Sequence, residues 1–391
     1  MRCSYFEAGV CRSCEFMGVP YSEQLARKVA DAHALLAPWP HAIWRDAVPS
    51  AESGFRNKAK MVVGGTVEAP TLGILDAQQR GVDLRECGVL APGLREAMPA
   101  IAAFVTSAGL TPYDIPARRG ELKNVLVTES PDGELMVRFV LRSTEALARI
   151  RKHADGLRRE LPALSVLSVN LQPEHKAVLE GETELLLGDT AALALRTGEI
   201  VLHVRPGGFF QTNTAIASRL YGQAVEWLDA VAPRTVWDLY CGVGGFALHL
   251  AAPARSVVGI ETSAAAVESA RLTAEAAGIH GVQFAVGDAA EYARERELPD
   301  AVVVNPPRRG LGEELCRLLH DSGPETIVYS SCNPVTLAAD LSRMPSYDVV
   351  EARLFDMFPQ TRHAEVMTLL RRRSANSADT GRTRRRRAAD A

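Results

Sequence analysis

The strongest constraint on the fold is an alternation of short apolar runs with helical segments in the second half of the chain. Residues 213–231 place apolar side chains at helical spacing. Beyond them, helical segments separate four apolar runs, at residues 236–240, 257–260, 301–304 and 327–329. Apolar strands that alternate with helices are typical of a parallel sheet covered by helices on both faces. We therefore predict a doubly wound α/β domain over residues 206–372.

The first half of the chain has a different character. Residues 1–90 are rich in Cys, Gly and Pro around one helical stretch at 22–36, which predicts an irregular region. Residues 123–142 alternate apolar with polar side chains around the turn Pro131-Asp132-Gly133, the pattern of a hairpin. One helix and three strands are predicted after it, at residues 144–161, 166–171, 184–187 and 200–204. Residues 91–205 therefore form a predicted α+β central domain.

Charge is unevenly distributed along the chain. The net charge is −3, yet residues 371–391 contain eight arginines and two aspartates. This distribution excludes a uniformly basic RNA-coating protein but not a local basic groove. The composition of residues 373–391 predicts a disordered, Arg-rich tail. Basic side chains of the first half could contact phosphates or form a solvated surface: Arg56, Lys58, Lys60, Arg118, Arg119 and Lys123.

The sequence contains no recognisable signal for export or membrane insertion. No apolar run approaches the ~20 residues that a membrane-spanning helix needs. The first residues lack the apolar core of a signal peptide. We therefore expect a cytoplasmic protein with no membrane partner. The odd number of cysteines, seven, argues against a disulfide framework in such a chain.

A glycine-rich loop follows the first apolar run. Residues 238–246 read Asp-Leu-Tyr-Cys-Gly-Val-Gly-Gly-Phe, with Gly242 and Gly244 where a ligand could approach a helix N-terminus. The loop is neither a P-loop nor a complete G-x-G-x-x-G. Glu261 and Asp288 end the next two predicted strands, where carboxylates can bind ribose hydroxyls and an adenine amino group. The pattern indicates S-adenosylmethionine (SAM) or a dinucleotide, and the missing phosphate-binding features favour SAM.

The residues after the fourth predicted strand bear on which atom receives the methyl group. They read Asn305-Pro306-Pro307-Arg308. Amine methyltransferases carry an Asn-Pro-Pro-aromatic tetrad at this place, and its aromatic ring stacks on the base. Arg308 has no such stacking face and suits a phosphate or a carbonyl oxygen instead. The sequence therefore argues against methylation of an exocyclic amine.

A cysteine follows the next predicted strand. Ligands in open α/β sheets bind at the carboxyl ends of the strands, so Cys332 is expected to face the cofactor pocket. Carbon 5 of uracil becomes nucleophilic only after a thiolate adds to carbon 6, and a base must then remove the C5 proton. Glu365, just before the final apolar run at 366–370, is the candidate base. The alternatives are a small buried strand-end residue for Cys332 and an exposed charge for Glu365.

Four cysteines near the N-terminus have the spacing C-x7-C-x2-C-x72-C. They are Cys3, Cys11, Cys14 and Cys87. Four thiolates can hold zinc or a [4Fe–4S] cluster, or the thiols could be free. Zinc sites usually contain two close pairs, and this set has only one, so the spacing favours iron–sulfur. The C-x3-C-x2-C pattern of radical SAM enzymes is absent from the sequence.

In these residues the chain resembles the RNA uracil-C5 methyltransferase family, and within it the branch that acts on 23S rRNA. Five motifs carry the resemblance, at residues 209–213, 238–244, 305–311, 331–334 and 356–361. It implies a Rossmann-like SAM-dependent domain after an N-terminal iron–sulfur and RNA-binding region. It also implies a [4Fe–4S] cluster on the four N-terminal cysteines. Its implied active-site residues are the nucleophile Cys332, the base Glu365, and the SAM-contacting Gln211, Tyr240, Glu261 and Asn305.

Two other functions remain open. The same chemistry could act on a tRNA uridine or on another rRNA uridine; the tRNA branch resembles this fold but lacks the cysteine cluster. The chain could also be an iron–sulfur RNA-binding module with a silent transferase site. The presence of both Cys332 and Glu365 argues against a silent site. Most family members have Asp where this chain has Asn305, which keeps the acceptor oxygen and loses the charge. No protein partner can be inferred.

Overall fold

The computed structural model describes residues 1–176 and 178–373. Most of the predicted tail at 373–391 therefore lies outside the described residues. Within those ranges, no helix combines the length and the apolar character needed to cross a membrane. The ten helices of the described ranges are α1 Ser4–Glu7, α2 Tyr21–Leu35, α3 Pro92–Ser107, α4 Leu147–Glu160, α5 Thr214–Asp229, α6 Gly245–His249, α7 Ala264–Ala276, α8 Ala289–Arg294, α9 Glu313–Ser322 and α10 Pro334–Arg343.

The strands of the described residues fall into three sheets. The strands of the first half of the chain are β1 Ile43–Trp44, β2 Lys58–Gly65, β3 Pro70–Leu75, β4 Gly81–Asp83, β5 Leu122–Glu129, β6 Leu135–Leu141, β7 Leu164–Leu171, β8 Thr183–Leu186, β9 Leu193–Thr197 and β10 Ile200–Val204. Those of the second half are β11 Thr235–Leu239, β12 Ser256–Glu261, β13 Val282–Val286, β14 Ala301–Val304, β15 Thr326–Ser331, β16 Tyr347–Phe355 and β17 Glu365–Arg372.

The largest sheet has eight strands in the order β1-β16-β17-β15-β14-β11-β12-β13. Strands β11 to β15 are mutually parallel where they pair, and helices lie between them in the chain. The β14 and β15 side chains are all buried, as expected of a sheet covered on both faces. The predicted α/β architecture of the second half is therefore confirmed.

Strand β17 differs from its neighbours because it runs antiparallel to both β15 and β16. Its first residues consequently lie beside the last residues of β15, with Val366 paired to Ser331. The strand order also reverses between β11 and β14, which opens a crevice at the carboxyl ends of these strands. Residues from the ends of β11, β12, β14 and β15 and from the start of β17 therefore meet at one edge.

The second sheet has seven strands in the order β4-β3-β2-β5-β6-β7-β8. It includes the predicted hairpin as β5 and β6, and one buried core packs it against α3 and α4. Three of its strands, β2 to β4, come from residues 58–83. The prediction that residues 1–90 are irregular around one helix is therefore wrong for this part, which continues the sheet of the central region.

Segments that precede the predicted start of the C-terminal domain at residue 206 also belong to that domain. Strand β1 pairs with β16, and Ala32 of α2 and its C-cap residue Leu36 belong to the core on that side of the eight-stranded sheet. The small sheet of β9 and β10 contributes Leu195 and Leu202 to the core of the same domain. The α/β domain thus gathers residues from before 50 and from about 193 onward, and not only from residue 206.

A buried polar network ties α2 to the loop at residues 356–361. Lys28 Nζ donates to Asp356 Oδ1 at 2.6 Å and to the Phe358 carbonyl at 3.0 Å, and both charged side chains are almost fully buried. Gln24 Nε2 donates to Gln360 Oε1 at 3.0 Å, and Gln360 N donates back to Gln24 Oε1 at 3.0 Å. Removing one partner would leave a buried charge or amide unpaired, so this loop is held firmly in place.

Candidate functional site

A cavity of about 580 Å³ opens at the carboxyl edge of the parallel strands. It lies at the reversal of strand order, where ligands bind in open α/β sheets. The structure brings most of the sequence-predicted residues to its wall: Gln211, Tyr240, Gly242, Glu261, Asp288, Asn305, Cys332 and Glu365. Gly244 is not among the lining residues. Side chains to which the sequence assigned no individual role also line the cavity, including Phe209, Tyr221, Phe246 and Phe358.

The glycine-rich loop uses backbone conformations with positive φ. Tyr240, Gly242 and Gly244 have φ values of 69°, 54° and 83°. A Cβ built on Gly242 would meet no atom within 4 Å, so its backbone faces open space. A Cβ on Gly244 would lie 2.9 Å from the ring of Phe284, so that glycine is needed for packing. Gly242 therefore gives a ligand access to the backbone, whereas Gly244 lets the loop close onto the sheet.

Two carboxylates stand at the ends of β12 and β13. Glu261 accepts from Gly242 N at 3.2 Å and from Ser263 N at 2.9 Å. Asp288 is the N-cap of α8, and its Oδ1 accepts from Ala290 N at 2.8 Å. Backbone N–H groups thus bind both oxygens of Glu261 and one oxygen of Asp288. Every carboxylate oxygen can accept more than one hydrogen bond. Both can therefore receive further donors from a ligand in the cavity.

Asp238 lies beneath the glycine loop and is not a lining residue. Its side chain is fully buried, and Oδ2 accepts from Ala247 N at 2.9 Å. Oδ1 has no hydrogen-bond partner within the described part of the chain. Burial, reinforced by the nearby Glu261, raises the pKa of Asp238 to about 8. Asp238 therefore anchors the first turn of α6 through Oδ2, whereas its Oδ1 makes no hydrogen bond within the described part of the chain.

Gln211 is positioned by a residue that sequence reasoning missed. Asn57 Nδ2 donates to the Gln211 carbonyl at 3.0 Å, and Asn57 N donates to the Thr212 carbonyl at 2.8 Å. Asn57 precedes β2, so the seven-stranded sheet directly holds the backbone beside the cavity. A buried asparagine among polar neighbours carries little signal in the sequence, because its partner lies more than 150 residues away.

Glu365 and Cys332 approach the cavity from neighbouring strands. Glu365 opens β17 and is 1% exposed, and its Oε1 accepts a hydrogen bond from the Ser330 hydroxyl. Cys332 follows the end of β15 and is partly exposed. Burial raises the pKa of Glu365 to about 7, and the Ser330 hydroxyl opposes this shift. A buried carboxyl group that changes its charge near neutral pH is suited to proton transfer.

The environment of Cys332 combines opposing influences. Burial, and then the Glu365 carboxylate, raise the pKa of the Cys332 thiol, whereas the guanidinium of Arg308 lowers it. Arg308 lies in a loop that α10 holds, since its carbonyl accepts from Asn333 Nδ2 at 3.0 Å. Asn333 is also the N-cap of α10, so the thiol lies close to a helix N-terminus. Neutral Glu365 together with Arg308 would favour the thiolate.

The four N-terminal cysteines line a second cavity of about 420 Å³. All four thiols are free and partly exposed. No group of three or more His, Cys, Asp or Glu in the described ranges is arranged to hold a metal ion. The four predicted ligands thus line one cavity. Their thiols do not converge on one point, as the binding of a single metal ion requires. Thr212, Arg308 and Phe358 line both cavities and form the wall between them.

Comparison with known proteins finds relatives over nearly the whole chain. Residues 189–373 match the family model described as tRNA (Uracil-5-)-methyltransferase. The 23S rRNA (uracil(747)-C(5))-methyltransferase RlmC of Escherichia coli O139:H28 is 46% identical over 372 residues, covering 95% of this chain and 99% of that protein. RlmC of Shigella sonnei has the same identity and coverage.

A solved structure is similar over most of the chain. The tRNA (uracil-54, C5)-methyltransferase of Pyrococcus abyssi was determined in complex with S-adenosyl-L-homocysteine. It matches with a TM-score of 0.77 and 26% sequence identity, covering 91% of this chain and 85% of that chain. The similarity therefore includes both large sheets and not the α/β domain alone.

Proposed function

Since the chain belongs to the RNA uracil-C5 methyltransferase family, whose members are SAM-dependent enzymes, we propose that its substrate is 23S rRNA and its target the uracil equivalent to position 747. The observation that carries the proposed chemistry is the shared cavity of Cys332 and Glu365. A thiol and a carboxyl group at adjacent strand ends are the two groups that methylation at C5 requires. The 23S target rests on the RlmC relatives, which cover almost the whole chain.

We assign Cys332 the role of nucleophile. Its thiolate forms a bond to C6 of uracil, and the electron pair of the C5–C6 double bond moves to C5 and the O4 carbonyl. Bound SAM supplies the methyl group that C5 takes up. Glu365 then removes the proton from C5, the double bond re-forms, and the C6–sulfur bond breaks to release the Cys332 thiolate. Reaching the thiol requires the target base to leave its stack.

The residues around the glycine loop fit the proposed SAM site. The open space above Gly242 allows a ligand to approach the backbone closely, and Glu261 and Asp288 keep free acceptor capacity for hydroxyl and amino groups. Gln211, Tyr240 and Asn305 complete the lining. We propose that these residues bind SAM, with Gly244 shaping the loop from below. Asn305 can accept hydrogen bonds from a ligand without adding another negative charge to a cavity that Glu261, Asp288 and Glu365 already line.

The raised pKa of Glu365 predicts a pH-dependent rate. Well below pH 7 the carboxyl group is protonated and cannot accept the C5 proton, and above pH 7 it is ionised. We therefore expect kcat to rise with pH and to level off above about 7. The measurement is the single-turnover rate of product release between pH 5.5 and 8.5. A flat profile over this range would remove Glu365 from the rate-limiting proton transfer.

Methyl transfer to defined RNAs tests the proposed target. Purified enzyme with labelled SAM is expected to methylate a 23S rRNA fragment that contains uracil 747, and nuclease digestion with mass spectrometry should map the methyl group to C5 of that base. A tRNA transcript is the matched control, because a solved relative acts on tRNA uracil 54. Preferential methylation of the tRNA would overturn the 23S proposal and leave the chemistry unchanged.

We also propose that Cys3, Cys11, Cys14 and Cys87 hold a [4Fe–4S] cluster. Four free thiols lining one cavity form a donor set that suits a polynuclear cluster better than a single zinc ion, which needs four ligands at about 2.3 Å from one point. Burial, and then the neighbouring cysteines, raise the pKa of Cys14 to about 11, a cost that bound iron would remove. The proposed role is structural, since the cluster cavity shares a wall with the active-site cavity.

The iron content of anaerobically purified protein tests this cluster. We expect about four iron atoms per chain and a broad visible absorbance, both lost in a Cys11→Ala, Cys14→Ala double variant. Cys316→Ala is the matched control, because that thiol is buried in the α/β core, away from the cavity. Stoichiometric zinc, or iron retained by the double variant, would contradict the proposal.

We propose that the three predicted parts of the chain have the separate roles that the sequence indicates. The cysteines within residues 1–90 carry the cluster, residues 91–205 bind RNA, and residues 206–372 hold the methyl-transfer site. In the observed sheets, strands from residues 1–90 pair with strands of both other parts. A 23S rRNA substrate would place the reaction in the cytoplasm.

A further inference from the structure

A rigid basic loop connects α3 with β5 on the central domain. Asp114 and Arg119 exchange backbone hydrogen bonds of 2.8 and 3.3 Å, and Asp114 Oδ1 accepts from Ala117 N at 2.8 Å. Arg118 has a positive φ of 52°. Gly120 has a φ of 101°, and a Cβ there would lie 2.1 Å from the Pro112 carbonyl oxygen. The loop therefore has one defined conformation, which presents the exposed Arg118 and Arg119 at its tip.

Aromatic rings and a further cation lie next to this tip. The Tyr113 hydroxyl and His175 Nδ1 are 3.0 Å apart, and their ring centroids are 6.2 Å apart. Lys123 Nζ lies 4.8 Å from the Tyr113 ring centroid and donates to the Glu174 carbonyl at 2.7 Å. The His175 side chain is exposed. We call Tyr113, Arg118, Arg119, Lys123 and His175 the Tyr113 surface.

One acidic side chain beneath the Tyr113 surface is buried and paired. Glu121 is 6% exposed and forms an ion pair with Arg142 at 2.8 Å, while its other oxygen accepts from the Ser143 hydroxyl at 2.6 Å. Burial, and then the charge of Arg142, lower the pKa of Lys123. The Glu121 carboxylate is therefore hidden beneath the surface. Two exposed carboxylates remain nearby: Asp114 caps the loop through Ala117 N, and Glu174 pairs with Lys176 at 2.9 Å. Arg118 and Arg119 leave the loop itself with an excess of positive charge.

We propose that the Tyr113 surface is a second RNA-binding site, which holds the phosphates and an unpaired base of the substrate RNA outside the target nucleotide. This inference rests on the proposed rRNA substrate. Arginine guanidinium groups bind phosphate, and an exposed imidazole ring can stack on a base. A surface that combines exposed cations with aromatic rings fits single-stranded or loop RNA better than a protein partner.

The location of this surface relative to the active site supports the proposal. Lys123 and Glu129 lie near the two ends of strand β5, about 20 Å apart at ~3.3 Å per residue. Glu129 N donates at 2.8 Å to the carbonyl of Asn57, the residue that holds Gln211 at the cavity. One continuous strand therefore connects the surface to the wall of the active site. An RNA segment of several nucleotides beyond the target would span this distance.

Binding of a 23S rRNA fragment to the whole protein tests the second site. The Arg118→Ala, Arg119→Ala double variant should raise Kd on the order of tenfold at ~0.1 M salt, and reduce the slope of log K against log salt by about 1 to 2. It should raise KM and leave kcat close to the wild-type value. Arg118→Lys, Arg119→Lys should restore most of the affinity, because a phosphate also accepts a lysine ammonium.

The matched control is Arg151→Ala, Lys152→Ala, which removes two exposed cations from α4 of the same domain. We expect it to change Kd much less than the loop variant does. Equal Kd values and salt slopes for wild type and the loop variant would overturn this inference, even if a protein were found to bind the loop. A wild-type enzyme that neither binds nor methylates the 23S fragment would instead overturn the proposed function. Failure of the second site and failure of the proposed function therefore give different results.

Discussion

Replacing Cys332 with alanine is expected to abolish methyl transfer and to leave SAM affinity near the wild-type value. Without a thiolate, C6 of uracil receives no electron pair and C5 stays unreactive toward the methyl group. Because methyl transfer and the proton removal by Glu365 both depend on the prior addition of the Cys332 thiolate, we expect a loss of roughly 10⁴-fold or more in kcat. The measurement is single-turnover methyl transfer from labelled SAM to the 23S fragment, with SAM binding followed by calorimetry.

Cys316→Ala provides the matched thiol control for this experiment. Cys316 is fully buried on α9 in the core of the same domain. Its replacement creates a small cavity and should cost about 1 kcal/mol of stability while methyl transfer continues. If the Cys332 variant formed 5-methyluridine at the rate of this control, covalent addition through Cys332 would be excluded.

Replacing Glu365 with glutamine is expected to trap RNA on the enzyme. The variant keeps the thiol, so addition to C6 and methyl transfer to C5 can proceed. The amide cannot take the C5 proton, so the sulfur–carbon bond cannot break in the forward direction. General-base catalysis contributes about 10² to 10⁴-fold, and product release should slow by that factor. The adduct should appear as a shifted protein band that survives denaturing electrophoresis.

Ser330→Ala is the control for the trapped adduct. It removes the hydroxyl that donates to Glu365 and keeps the carboxyl group itself. Since that hydroxyl lowers the pKa of Glu365, its loss should move the rise of kcat to higher pH, and product should still be released. A Glu365→Gln enzyme that turns over freely and accumulates no adduct would assign the base to another group.

The sequence was sufficient to predict the α/β domain and most of the cavity wall. Apolar runs such as 301–304 and 327–329 are fully buried strands, and their carboxyl ends place Asn305 and Cys332 at one edge. The position of Glu365 in the cavity depends on the direction of its strand, which the hydrophobic pattern of the sequence does not indicate. An apolar run predicts a strand but not its direction, and only the antiparallel insertion of β17 places its first residue in the cavity.

Other features depend on long-range pairing that local patterns do not reveal. Residues 58–65 alternate buried with less buried positions but contain two charges and two glycines, so the Cys- and Gly-rich context suggested irregular structure. Their strand is stable because it pairs with β5, more than 50 residues away. The Asn57 contact with Gln211 and the inward position of Asp238 likewise depend on parts of the chain that meet only in the folded protein.

Mass spectrometry of the trapped adduct tests the covalent mechanism most directly. After Glu365→Gln enzyme reacts with SAM and the 23S fragment, protease and nuclease digestion should leave one peptide that carries a methylated uracil nucleotide. We predict that fragmentation locates the modification on the sulfur of Cys332. An adduct on any other residue, or 5-methyluridine formed with no protein–RNA bond at any time point, would contradict the assignment of Cys332 as nucleophile.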